Sequence, residues 1–183
     1  MSPLPDEITT LLDVATRLEA ASVDYMLTGS MALNVYAMPR MTRDIDLVAA
    51  VVLKDADRIE SIFPGEEYYV SSDAVREAVS QASSFNLIHL RTMNKLDIMI
   101  RKREEYRLNE FDRRTKIEVR GQGIWVVTIE DLILSKMDWA RDSRSERQME
   151  DVKNLLAAGC DMAYVESWAE RLGLTGILTQ VMG

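Results

Sequence analysis

Three aspartates and a glycine–serine pair are the residues of this chain whose types and order could do chemistry together. Asp44 and Asp46 flank Ile45 in an aliphatic run that reads as a strand over Asp44–Val52. Residues two apart on a strand project from the same face. The two carboxylates therefore share a side, while Ile45 and Leu47 turn to the core. Like charges held so close repel unless a cation bridges them or one takes up a proton. Hard oxygen donors of this kind suit Mg²⁺, itself a partner of nucleotide phosphates.

Asp97 supplies a third carboxylate. In Lys95-Leu96-Asp97-Ile98-Met99-Ile100, the apolar face is Leu96, Ile98 and Ile100, and Asp97 projects from the other. An aspartate amid aliphatic residues is costly without a partner or solvent. If this strand lies beside Asp44–Val52, three carboxylates converge, which is enough for a two-metal phosphoryl-type site.

Thr28-Gly29-Ser30 stands where an apolar strand, Val23–Leu27, meets a helix predicted over Met31–Met38 and stopped by Pro39. Gly29 lets the backbone come close to a ligand. Ser30 is expected to cap the helix, whose free N–H groups form a ready phosphate site. Gly-Ser at a strand–helix junction is common, and so is Asp-x-Asp near a strand end. Their order, with Asp97 following in a strand context, gives the set its weight.

The elements around these residues read as an α/β (α+β) fold, with a small mixed sheet, flanking helices and a helical C-terminal region. The periodicity predicts a first amphipathic helix over 6–21, helices over 54–63 and 72–82, and strands over 85–90, 96–100, 116–119 and 124–127. Everything after Thr128 reads as helix, with Gly159 and Gly173 as stops. Thr128-Ile129-Glu130-Asp131 resembles a capping box with Asp in place of the usual Glu. Residues 1–127 are thus expected to form the α/β core, and 128–183 a helical region packed on it.

Composition narrows the classes. The 183 residues are 47% hydrophobic and 28% charged, with a net charge of -8. That balance argues against a general basic nucleic-acid binder while allowing a local basic patch. One cysteine, Cys160, excludes an internal disulfide framework, and one histidine, His89, excludes a histidine-cluster metal site. The longest uncharged stretch, Tyr25–Pro39, is too short for a bilayer, and early charges break up any signal peptide. These features imply a soluble cytoplasmic protein without a membrane partner. His89 reads as a half-buried, satisfied histidine, and Trp125, Trp139 and Trp168 as core or interface anchors. Arg43, Arg147 and Asp151 read as structural or charge-balancing, and Arg101-Lys102-Arg103 with Arg113-Arg114 as a solvated face.

Gly29-Ser30, then Asp44-Ile45-Asp46, then Asp97 resemble the nucleotidyltransferase superfamily of DNA polymerase beta. Within it, Thr28-Gly29-Ser30-Met31-Ala32-Leu33 leading to Thr42-Arg43-Asp44-Ile45-Asp46-Leu47 is most similar to the bacterial abortive-infection toxin branch, the AbiEii-like nucleotidyltransferases. The run Ile129–Lys136, through Arg147 and Asp151, is also similar to that branch. The resemblance covers roughly Tyr25 to Leu156. It implies Mg²⁺ held by Asp44, Asp46 and Asp97, an NTP donor contacted by Gly29, Ser30 and Lys136, and transfer of a nucleoside monophosphate to a hydroxyl. It also implies a toxin with an antitoxin partner. The acceptor stays open among RNA, protein and a small molecule such as an aminoglycoside. The competing reading is a non-catalytic nucleotide- or partner-binding module of the same fold, which would have no need of all three aspartates.

Overall fold

The computed structural model describes residues 6–143 and 145–183. The first five positions of the expected 1–127 core, and position 144, lie outside the described residues. A seven-stranded mixed sheet carries the α/β part. Its strands are β1 (Tyr25–Thr28), β2 (Ile45–Ala49), β3 (Tyr68–Tyr69), β4 (Ser84–His89), β5 (Asn94–Ile100), β6 (Thr115–Val119) and β7 (Gln122–Val126). They lie in the order β3-β4-β5-β2-β1-β7-β6. β2 runs antiparallel to β1 and parallel to β5.

Burial explains the strand sequences. β1 lies inside the sheet and all four of its residues are buried, so it reads as a continuous apolar run. β2 and β5 alternate instead: Ile45, Leu47 and Ala49, like Leu96, Ile98 and Ile100, are buried, and the residues between them are more open. This is the alternation expected from the sequence, and it leaves Asp46 and Asp97 on the same open face.

Helix α1 (Asp6–Ala20) buries Leu11, Val14, Ala15 and Leu18 and packs across β5 and β7. Helix α2 (Gly29–Tyr36) follows β1 without a loop. A short 3₁₀ turn (Leu53–Asp55) leads into α3 (Ala56–Ile62), followed by α4 (Ser72–Gln81) and α5 (Glu105–Asp112). The C-terminal region holds α6 (Ile129–Ser143), α7 (Glu146–Ala158), α8 (Met162–Arg171) and α9 (Thr175–Met182). Helices α6 and α7 pack on each other and on α2, and one contiguous core runs from Leu11 to Val181. Among the described residues no helix is long and apolar enough to cross a membrane.

Local differences from the sequence reading have physical causes. Tyr68-Tyr69 forms an edge strand pairing with Ile88 and His89, too short for a periodic signal. Tyr68 is buried there and donates to Asp13 Oδ2 at 2.6 Å. β7 begins at Gln122, not Ile124, because Arg120 and Gly121 both adopt positive φ (56° and 83°) and close a two-residue hairpin turn. His89 is half-buried, with Nδ1 2.7 Å from Thr92 Oγ1 and the ring edge against Tyr68.

The start of α6 is fixed by Asp131. The Thr128 hydroxyl accepts from the Asp131 amide at 3.4 Å and donates to Asp131 Oδ2 at 2.7 Å. The carboxylate also accepts from Arg113 Nε at 3.0 Å and from the Tyr164 hydroxyl at 2.8 Å. The Arg113 guanidinium sits over the Tyr164 ring, and that of Arg114 over Phe111 and Trp125. These two arginines are structural clamps, not part of a solvated face. Asp131→Ala removes three hydrogen bonds from a fully buried carboxylate and leaves Arg113 access to solvent. It should cost about 2–3 kcal/mol, within the range for hydrogen bonds to charged groups. Denaturant titration checks this, with an unchanged midpoint counting against the clamp.

Candidate active site

The open face of β2 and β5 forms the floor of a cleft of about 810 Å³. Asp46 pairs directly with Asp97 across the parallel β2–β5 ladder, so the strands stand neighbours at the roughly 4.8 Å sheet spacing. Asp44 lies in the loop just before β2 rather than on the strand, because the ladder begins only at Ile45↔Leu96. It is exposed, whereas Asp46 and Asp97 are half-buried. All three line the cleft.

On the other side of β2, the antiparallel ladder sets Thr28 opposite Asp46. The chain then turns at Gly29 with φ +66°. A Cβ placed there would lie 2.1 Å from Asp46 Oδ2. Gly29 is thus required twice, by its backbone conformation and by the carboxylate pressed against it. Thr28, not Ser30, occupies the N-cap position of α2, and its side chain makes no capping bond. Ser30 is the second helical residue, so it cannot cap. Its amide donates to Asp46, and its hydroxyl accepts from Arg40 Nη2 at 2.5 Å.

Burial raises the Asp46 carboxyl above the ordinary aspartate range, and Asp97 and Asp44 raise it further. Lys136 and the Ser30 amide oppose the shift without cancelling it. A bridging cation or a bound proton would relieve this repulsion, and hard carboxylate oxygens are of the type that Mg²⁺ takes. As the side chains stand, no three acidic, imidazole or thiol groups among the described residues close around one point. Asp97 Oδ1 instead meets the exposed ammonium of Lys95 at 3.0 Å, a surface contact worth at most about 1 kcal/mol.

Lys136 is not solvated. It is buried on α6 and donates to Asp151 Oδ2 at 2.7 Å and Gln148 Oε1 at 3.1 Å, both on α7. Asp151 is also buried, and Arg40 reaches both its oxygens, at 3.0 and 2.9 Å. Burial works against the Asp151 carboxylate, but hydrogen bonds from Arg40 and Lys136 outweigh it and hold the group below the usual range. Burial lowers Lys136, although Asp151 and Asp46 resist. Arg40 is locked in turn by paired hydrogen bonds with the Asn34 side chain, both at 2.9 Å.

Beyond Lys136 the wall continues with a second polar set. Buried Glu110 accepts from the Ser135 hydroxyl at 2.6 Å and from Arg107 at 3.0 Å, and burial raises its carboxyl. In all, Arg40, Arg43, Arg101, Lys102, Arg107, Lys136 and Arg147 line the cleft against Asp44, Asp46, Asp97 and Glu110. The excess is cationic in a chain of net charge -8. Arg43 and Arg147 have no ion pair among the described residues, whereas Asp151 balances Arg40 and Lys136. Trp168 is a core residue as anticipated, but Trp139 is 62% exposed on the cleft wall.

Sequence reasoning did not single out Arg40, Gln148, Glu110 or Ser135. Leu132, Ser135, Lys136 and Trp139 share one face of α6 by their three- and four-residue spacings. That spacing was the available signal for the wall. For Arg40, whose partner is 111 residues away in sequence, there was none.

The fold is that of nucleotidyltransferases. The chain matches ANT(2")-Ia in complex with adenylyl-2"-tobramycin with a TM-score of 0.62, at 12% identity over 96% of this chain and 99% of that one. It matches the lincosamide antibiotic adenylyltransferase LnuA, lincomycin-bound, with a TM-score of 0.55, at 16% identity over 86% and 99% of the two chains. An antigenic nucleotidyltransferase-like protein from Paracoccidioides brasiliensis matches with a TM-score of 0.57, at 20% identity over 86% and 78%. No protein-family model and no curated protein matches the chain.

Two predictions follow from this geometry. Gly29→Ala forces a left-handed conformation costing about 1–2 kcal/mol and displaces the Asp46 carboxylate, so both stability and any Asp46-dependent activity should fall; calorimetry with an activity assay reads both. In metal-free buffer, Asp46 and Asp151 should show opposite pH signatures. The penalty at Asp46 is complete above its raised folded pKa and fades as pH falls toward the unfolded value of about 3.9. Asp46→Asn therefore raises Tm at neutral pH, and the gain shrinks toward about pH 4. Asp151 contributes stability that is complete above about pH 3.9 and lost as pH falls through its lowered folded value. Asp151→Asn should cost about 3–5 kcal/mol at neutral pH, because Lys136 is left buried without its carboxylate, and the difference from wild type should close in stronger acid. Melting curves across this range check both signs.

Proposed function

We propose that this protein transfers a nucleoside monophosphate from a nucleoside triphosphate to a hydroxyl acceptor. The observation that carries the reading is the β2–β5 register, which sets Asp46 beside Asp97 next to the Gly29 turn. The cationic excess of the cleft supports a polyphosphate ligand, and its volume falls in the roughly 300–1,000 Å³ of small-molecule sites.

In the reaction, the acceptor oxygen bonds the α-phosphorus as the bond from that phosphorus to the β-bridging oxygen breaks. Pyrophosphate leaves. Asp97 helps to take the hydroxyl proton, and Asp46, held by Gly29 and the Ser30 amide, fixes the reacting end of the donor site. Lys136 lies close enough to Asp46 to oppose the rise of its carboxyl, which supports a role for its charge toward the donor phosphates. Mg²⁺ bound by Asp44, Asp46 and Asp97, with Asp97 exchanging Lys95 for the ion, would offset charge on the phosphate and leaving-group oxygens.

One fold relative is named as a lincosamide antibiotic adenylyltransferase and another is in complex with adenylyl-2"-tobramycin, which supports a small-molecule hydroxyl as one acceptor class. The sequence similarity to the abortive-infection branch supports a toxin acting on RNA or protein and restrained by an antitoxin. The purified protein, with Mg²⁺ and each labelled NTP in turn, is incubated with total RNA, cell extract, or aminoglycosides and lincosamides. Labelled product and released pyrophosphate are expected in one arm. Asp46→Asn and Asp97→Asn should lower that rate by at least about a hundredfold, since the lost charge stabilisation is worth several kcal/mol. NTP binding without transfer in every arm would support a non-catalytic module instead.

A further inference from the structure

We infer that Trp139 is the platform on which the base of the nucleotide donor stacks, an inference that rests on the nucleotidyl-transfer reading above. The three tryptophans occupy different environments. Trp168 is buried, its ring 5.1 Å from Tyr106, with the Arg171 guanidinium over its face. Trp125 is half-buried, flanked by Arg114 and Lys116. Trp139 is 62% exposed, and no aromatic or cationic group among the described residues covers its ring. Leaving an indole in water forfeits one of the largest apolar burials a side chain offers. On a helix that packs against α2, α7 and α8, the uncovered indole is where a ligand would recover that burial.

Its position specifies the ligand. Trp139 lines the cleft three residues beyond Lys136, on the same face of α6. At 1.5 Å per residue the two are about 4.5 Å apart along the axis. Lys136 marks the Asp46 end, where the phosphates belong, so the next turn of α6 lies where ribose and base follow. The links from Lys136 to Gln148 and Asp151 fix the α6–α7 pair at this level. Trp139 and Arg147 both lie between those links and the turn joining the two helices. Arg147 also lines the cleft and has no carboxylate partner among the described residues. A planar ring beside an anionic chain matches this wall; a polycationic ring system does not.

An indole face presents no donor or acceptor to a base edge, so stacking here tolerates every base. ATP and inorganic tripolyphosphate separate the base from the phosphates. Both are titrated with Mg²⁺ into wild type, Trp139→Ala and Trp139→Phe by isothermal calorimetry, with tryptophan fluorescence read in parallel. Trp139→Ala should weaken ATP about 5- to 150-fold, the range for loss of one base–aromatic stack, and leave tripolyphosphate and Tm unchanged. Trp139→Phe should restore most of the ATP affinity and abolish the ATP-induced fluorescence change. Equal ATP affinity in wild type and Trp139→Ala overturns the inference while leaving nucleotidyl transfer standing. So does an equal loss of ATP and tripolyphosphate. A wild type that binds neither overturns the transfer reading and this inference with it.

Discussion

One buried carboxylate holds the cleft together. Asp151 accepts from Lys136 on α6 and from Arg40 in the loop after α2 while exposing almost none of its own surface. Removing a carboxylate from water is costly, and only close, hydrogen-bonded counter-charges offset it. Two cations meet that condition here. Arg40 continues to Ser30, and Lys136 to Gln148. Four segments distant in sequence are thereby fixed in one arrangement: the start of α2, the loop that delivers Asp44, and the facing sides of α6 and α7. Apolar packing between the same helices would permit sliding that a directional ion network does not.

The same environment treats two aspartates in opposite ways. Asp151 faces cations and is held ionised. Asp46 faces Asp97 and Asp44, and burial adds to the cost of its charge. Stability is concentrated at the first and withheld at the second, only a few side chains apart. Under the proposed function, a cation at Asp46 would supply the missing positive charge. Gly29 sharpens the contrast, since a glycine is what allows the carboxylate to press against the backbone turn and receive the Ser30 amide.

The period-two alternation of β2 and β5 was legible because one face of each strand is buried, and it correctly put Asp46 and Asp97 on the open side. Helix positions were legible for the same reason, through their buried stripes. Other features depend on contacts that no local pattern encodes. Arg40 looks like any loop arginine until Asp151 arrives from α7. Ser30 looks like a cap, but the strand runs one residue further, to Thr28, and α2 begins at Gly29. Trp139 reads as a core or interface anchor because tryptophan usually is one. It lines the cleft on the α6 face it shares with Lys136, and that placement is set by tertiary pairing.

The order of residues along the chain also orders events during synthesis. Asp44, Asp46 and Asp97 emerge from the ribosome well before Lys136, Trp139 and Asp151. Until α7 follows, Arg40 has no buried carboxylate to hold it, and the loop carrying Asp44 lacks its anchor. A nascent chain therefore displays the acidic floor before Lys136 and Arg147 can face it. The cleft is complete only once α6 and α7 have left the ribosome and packed on α2.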